Sequence, residues 1–161
     1  MPLFDRVENP KRHHLYAIKA VGSDLYICGE QGNLFKLDTK SDRFKEIKTP
    51  YTGTFFGITG KAGSLLVYGM RGTVFRSGDG GASWSKIETG VPAGLTGATV
   101  LQDGRIVLVS QIGNVLISND NGLSFKAVNA KNIVSTIAVT GIDKDTLAVV
   151  GFMGANVVST K

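Results

Sequence analysis

Two aspartates occupy turns of matching composition, Ser77-Gly78-Asp79-Gly80-Gly81-Ala82-Ser83-Trp84 and Ser118-Asn119-Asp120-Asn121-Gly122-Leu123-Ser124-Phe125. A carboxylate so placed can bind calcium, move a proton, or accept hydrogen bonds from N–H groups of its own turn. Asn119-Asp120-Asn121-Gly122 is faintly like the start of an EF-hand loop, but the glutamate needed at loop position twelve is missing. Turn capping is the expected role, with Gly81 and Gly122 free to take positive φ. Sialic-acid hydrolysis would need an arginine cluster, a Tyr–Glu nucleophile pair and an acid. Of Arg6, Arg12, Arg43, Arg71, Arg76 and Arg105, and of Glu8, Glu30, Glu46 and Glu88, only Arg71 and Glu30 fall in equivalent loops. His13-His14 are adjacent, and neighbours on a strand point to opposite faces, which makes a poor metal pair. No Ser-His-Asp set, Cys-x-x-Cys pair or phosphate loop is present. The expectation is a protein that is not an enzyme and holds no metal or cofactor.

The segments that position these turns repeat. Gly29-Glu30-Gln31-Gly32-Asn33-Leu34-Phe35 returns as Gly69-Met70-Arg71-Gly72-Thr73-Val74-Phe75, then as Ser110-Gln111-Ile112-Gly113-Asn114-Val115-Leu116, then as Gly151-Phe152-Met153-Gly154-Ala155-Asn156-Val157. The second glycine falls at 32, 72, 113 and 154, a period of 40 or 41. Each period predicts about four short strands, in the second copy over 55–59, 64–69, 73–77 and 84–87, joined by turns rich in glycine or Asp-Gly. In the first copy Leu37, Thr39, Ser41 and Phe44 stand at the four turn positions, so only the aromatic survives there. Continuous apolar runs such as Arg105-Ile106-Val107-Leu108-Val109 imply sheets covered on both faces. Four antiparallel strands per 40-residue unit, stacked face to face, is a β-propeller of four blades per chain.

Composition agrees with this reading. The chain has 161 residues, 42% of them hydrophobic, with 21 glycines and only 19% charged residues. Glycine weakens helix interiors, so a helical bundle is disfavoured. The net charge is +5, but the basic residues are scattered rather than set in a stripe, so no nucleic-acid partner is expected. The single cysteine, Cys28, lies in an apolar run and should be packed rather than reactive. No apolar run reaches transmembrane length and the first residues do not form a secretory signal, so no membrane span is expected and the compartment is open.

The repeats divide as 4–43, 44–83, 84–124 and 125–161 within one domain, 1–161, each beginning at an outer-strand aromatic: Phe4, Phe44, Trp84, Phe125. The N-terminal strand should therefore complete the last blade. It does so within one chain, as a four-bladed monomer, or across a homodimer that closes an eight-bladed ring; a piece of a longer propeller is the third option.

The turn pattern S-x-D-x-G-x-x-W, carried by Ser77, Asp79, Gly81 and Trp84 and by Ser118, Asp120, Gly122 and Phe125, resembles the Asp-box or bacterial neuraminidase repeat of β-propellers. The stretch from Gly69 to Trp84 is similar to the repeat of the photosystem II stability/assembly factor family. That resemblance implies a non-enzymatic propeller that binds protein partners, often during assembly of membrane complexes, and family members are often exported.

The candidate binding face is the ring of turns between second and third strands (b–c), with the loops entering each innermost strand (d–a). The b–c tips are Glu30-Gln31, Met70-Arg71, Gln111-Ile112 and Phe152-Met153; Tyr51 lies in a d–a loop. Apolar residues beside Arg and Gln suit a protein partner. A small-molecule or glycan ligand in the central pocket is the alternative, and a purely self-assembling structural half-propeller the third.

Overall fold

The computed structural model describes residues 6–129 and 135–161. The expected opening aromatic Phe4 lies outside them. The described residues form four antiparallel sheets in chain order. The first contains β1 (Leu15–Val21), β2 (Asp24–Gly29), β3 (Leu34–Asp38) and β4 (Arg43–Glu46). The second contains β5 (Phe55–Lys61), β6 (Ser64–Gly69), β7 (Val74–Ser77) and β8 (Ser85–Ile87). The third contains β9 (Leu95–Val100), β10 (Ile106–Ser110), β11 (Val115–Ser118) and β12 (Lys126–Val128). The fourth has three strands among the described residues, β13 (Thr136–Gly141), β14 (Thr146–Gly151) and β15 (Gly154–Ser159). Each sheet is a meander, and the first strands pack side by side, β1 on β5, β5 on β9 and β9 on β13. Those strands are therefore innermost, and the sheets radiate as blades of a β-propeller.

Three apolar layers lie between successive blades. Val21, Tyr26, Cys28 and Leu34 meet Phe55, Leu65, Val67 and Phe75. Leu66, Tyr68 and Val74 meet Leu95, Ile106, Leu108 and Leu116. Val107, Val109, Val115 and Ile117 meet Leu147, Val149 and Val158. Because β6 and β10 are buried on both faces, they read as unbroken apolar runs rather than alternating ones. Cys28 is fully buried, and loss of solvation pushes its thiol up to about 12, so it packs and does not react. Two single 3-10 turns, Glu30–Gly32 and Met70–Gly72, form b–c tips. No helix among the described residues is long and apolar enough to cross a membrane.

Two expectations change. The described part of the N-terminal segment lies on the first blade, not the fourth: Val7 makes a parallel bridge to Phe44, on the outer strand of the first blade, and the Phe44 N–H donates to the Arg6 carbonyl. The reason is that β1 and β13 lack the packing that joins the other innermost strands, so the blades form an open arc with β15 at its far end. The first turn has also kept more than its aromatic. Asp38, one residue earlier than the pattern places it, accepts from Lys40 N–H (3.0 Å) and Ser41 Oγ (2.9 Å) and pairs with Lys45. These donors hold its carboxyl at about 2.

Candidate functional site

The b–c turns are rigid because the loop entering the next blade is pressed against them. Gly32 has φ 69° and Gly72 φ 68°, and a Cβ on either would run into a carbonyl oxygen, that of Tyr51 or that of Val91. Thr49 Oγ1 donates to the Gly32 carbonyl (2.8 Å), and Thr89 Oγ1 repeats the bond to Gly72 (2.9 Å). Gly32 N–H also donates to the Gly53 carbonyl, Met70 N–H to Thr54, and Gln111 N–H to Gly94. The b–c tips and d–a loops therefore share one face, as the repeat predicts.

On that face the tip residues have different surroundings. Gln31 and Arg71 hold left-handed φ of 56° and 55° and are exposed. Met70, Gln111 and Ile112 are exposed. Phe152 and Met153 stand furthest out, 84% and 82% exposed, on a two-residue hairpin where Gly151 pairs with Gly154. Glu30 is half-buried: its carboxylate accepts from His14 N–H (2.8 Å) and Tyr16 Oη (3.3 Å) and lies 3.2 Å from His14 Nδ1. The backbone hydrogen bond from His14 is the main reason its carboxyl is lowered. Tyr51 is half-buried, its ring packed on Phe55 (5.0 Å) and Phe75 (5.7 Å).

The two aspartate turns are near-copies. Ser77 Oγ donates to Asp79 Oδ1 (2.7 Å) and accepts from Gly81 N–H (2.8 Å), while Asp79 accepts from Ser83 N–H (2.9 Å) and Ser83 Oγ (2.5 Å). Ser118, Asp120, Gly122 and Ser124 repeat each bond at the same length. Every carboxylate lone pair used points into its own turn, an arrangement that caps. The aromatics that follow are half-buried; Trp84 Nε1 donates to the Lys48 carbonyl (3.1 Å), and Phe125 packs on the second layer.

One set of residues went unread in the sequence. Each innermost strand carries a β-bulge, where register jumps between Leu15 and Ala17, Phe55 and Gly57, Leu95 and Gly97, and Thr136 and Ala138. The extra residues are Tyr16, Phe56, Thr96 and Ile137; a bulge re-aims its side chain. Tyr16 meets Phe56 edge to face at 5.9 Å, and Thr96 Oγ1 donates to the Thr136 carbonyl (2.7 Å). The signal was available: each bulge residue precedes a small one, Ala17, Gly57, Gly97 or Ala138, at the repeat period.

No protein-family model matches the sequence, and no curated protein matches it. Solved structures do. The chain is similar to the WD40 β-propeller domain of Doa1 (14% identity, 91% of this chain and 51% of that one, TM-score 0.74) and to YCF48 bound to a D1 peptide (14%, 87% and 49%, 0.67). It is also similar to the computationally designed Ika4 protein (12%, 96% and 97%, 0.68). It thus spans about half the length of the first two and nearly all of the third. At these identities the likeness is one of fold, and that fold is a β-propeller.

Proposed function

We propose that the chain is a non-enzymatic binding or assembly scaffold, built of Asp-box repeats akin to those of photosystem II assembly factors, that takes a protein partner on its b–c and d–a face. The observation that carries this is the row of exposed tips: Met70 and Ile112, beside Arg71, Gln31 and Gln111, on turns that hydrogen bonds hold rigid, and Phe152 and Met153 on the hairpin of the fourth blade. Rigid tips lose little entropy on binding, and apolar anchors in a polar rim are what protein interfaces use. The peptide named with YCF48 makes a peptide the first partner class to try. The binding unit is a ring closed by a second copy, eight blades in all.

The test is a peptide array probed with purified protein, then with Met70→Ala, Arg71→Glu and Phe152→Ala. Binding should be lost while the far-ultraviolet circular dichroism is kept; peptide binding unchanged in all three would refute the site. The alternative, a glycan or other small molecule in the central pocket, draws support from the Tyr16–Phe56 aromatic pair on the innermost strands. It predicts a hit on a glycan array that Phe56→Ala abolishes. A structural half-propeller with no other ligand predicts that both arrays are blank.

A further inference from the structure

We propose that residues 6–11 of one copy supply an outer strand and a turn cover to the fourth blade of a second copy. This rests on the ring reading above and names the segment that closes it. The repeat sets Val7 at the position of Ile47 and Ile87, and Asn9-Pro10-Lys11 at that of Thr49-Pro50-Tyr51. Ile87 ends the outer strand β8, paired with Val74; Val128 does the same in the third blade, paired with Val115. Thr49 and Thr89 then lock the b–c turn of the blade they leave. In its own chain the Asn9 side chain bonds, among the described residues, to the His13 backbone (2.7 and 3.0 Å) and locks no b–c turn.

Among the described residues the fourth blade shows neither an outer strand nor a cover on its turn. No described strand pairs with the outer edge of β15. Gly154, the counterpart of Gly32 and Gly72, would give a Cβ no neighbour within 4 Å, whereas its counterparts lie against Tyr51 and Val91. That uncovered turn is where Phe152 and Met153 project.

The position of the segment fits a strand belonging to a blade on the far side of the first one. Trp84 reaches back to the chain leaving β4, through Nε1 to the Lys48 carbonyl, and Ile47 lies against its turn at Gly81. Val7 bridges Phe44, the counterpart of Trp84, and Arg6 pairs with Asp42. Arg6, Val7 and Asn9 and the sheet line an open cleft of about 670 Å³ whose apolar wall includes Leu15, Ile27 and Phe44.

The sheet faces match as well. On the first blade Leu15, Ile18, Leu25 and Ile27 occupy the positions that Phe55, Ile58, Leu65 and Val67 fill when the second blade packs on the first. On the fourth blade Ile142, Ala148 and Val150 occupy by the repeat those that Leu101, Val107 and Val109 fill toward the fourth, and Val157 pairs with Ala148 as Ile117 pairs with Val107. Ile18 is 61% exposed and Val157 is 70% exposed, although their counterparts are buried or nearly so. Each copy therefore offers the two halves of a contact its own chain makes three times. A two-fold axis joins fourth blade to first blade twice and leaves no free end.

Light scattering on the purified full chain at micromolar concentration should read two chain masses; one chain mass overturns the ring and the strand exchange together. Val7→Cys chains mixed with Ala155→Cys chains should give a disulfide-linked pair of unlike chains under mild oxidation. A two-chain mass with no such link overturns the strand exchange and leaves the ring. Val157→Glu, at an exposed position that tolerates the change in a single chain, should return the mass to one chain with the far-ultraviolet circular dichroism of the fold unchanged; a two-chain mass there overturns the face assignment. Met70→Ala and Arg71→Glu should leave the mass at two chains, so failure of peptide binding is read separately from failure of the ring.

Discussion

The second and third blades differ from the first and fourth in how their surroundings treat like residues. Leu66, Val67, Leu108 and Val109 are buried on both sides of their sheets, whereas Ile18 on β1 and Val150 and Val157 of the fourth blade are exposed. The apolar pattern is nevertheless continuous through all four repeats. Side chains in the end blades are thus of a type suited to burial, and an exposed apolar face of that extent marks an interaction surface. The sharpest break of this comparison is truncation. Leu108→Ala, in the middle layer, should lower unfolding stability by about 2–5 kcal/mol because the cavity it leaves cannot collapse. Ile18→Ala measured at dilutions that favour single chains should change it by about 0.5 kcal/mol or less. Equal losses in denaturant titrations would show that the end face is covered within the chain.

The turns repeat the contrast on a smaller scale. Gly72→Ala demands left-handed backbone and drives a Cβ into the Val91 carbonyl, so a loss of about 1–3 kcal/mol is expected. Gly154→Ala also sits at positive φ but meets nothing, and should lose less in a single chain. Chemical denaturation of both variants, compared at one dilute concentration, checks the ranking. If Gly154→Ala proves the more damaging, its turn has a cover that the single chain does not show.

The blades were legible because the period of glycines, turns and aromatics is a local signal repeated four times. The second blade shows it: strands predicted over 55–59, 64–69, 73–77 and 84–87 correspond to β5, β6, β7 and β8 with end shifts of one or two residues. The sharing of one face by b–c tips and d–a loops was legible for the same reason. Closure was not, because Val7 reads as an outer-strand residue whichever sheet it joins, and its parallel bridge to Phe44 depends on where the arc ends. Asp38 was missed because a turn can be rebuilt one residue out of step when the carboxylate still reaches two donors. The bulge residues Tyr16 and Phe56 were missed because a bulge breaks the two-residue alternation by which strand faces are read.

The aspartate turns seal each blade to the one before it, and acid should loosen them. Gly122 lies on Leu66, and the Asn121 carbonyl accepts from Ser64 Oγ (2.6 Å) and Arg76 Nε (2.7 Å) of the second blade. Hydrogen bonds from Ser124 hold the Asp120 carboxyl at about 2, and those from Ser83 hold Asp79 well below its ordinary 3.8. A depressed carboxyl contributes stability that is complete above its unfolded value and is lost as pH falls through its folded one. Denaturation midpoints should therefore be flat in these groups from pH 7 to pH 5 and fall below about pH 4. Asp120→Asn should flatten part of that fall; an unchanged acid limb would show that the turn does not hold the middle blades together.

Loss of one hydrogen bond at Trp84 should have a small effect, and it tests whether the tie between the first two blades is polar or only apolar. The indole Nε1 reaches the Lys48 carbonyl at 3.1 Å, while its ring packs beside Ile47 on the layer between those blades. The third blade manages with Phe125 at the equivalent place, so the ring's burial is the general requirement and the hydrogen bond is particular to this copy. Trp84→Phe keeps most of the apolar contact and removes one partly exposed hydrogen bond, for an expected loss of about 0.5–1 kcal/mol. Trp84→Ala removes both and should lose about 3 kcal/mol or more. Urea titrations of the pair separate the two contributions. A Phe variant as damaged as the Ala variant would mean that the Lys48 carbonyl, left without its donor, governs how the first blade meets the second.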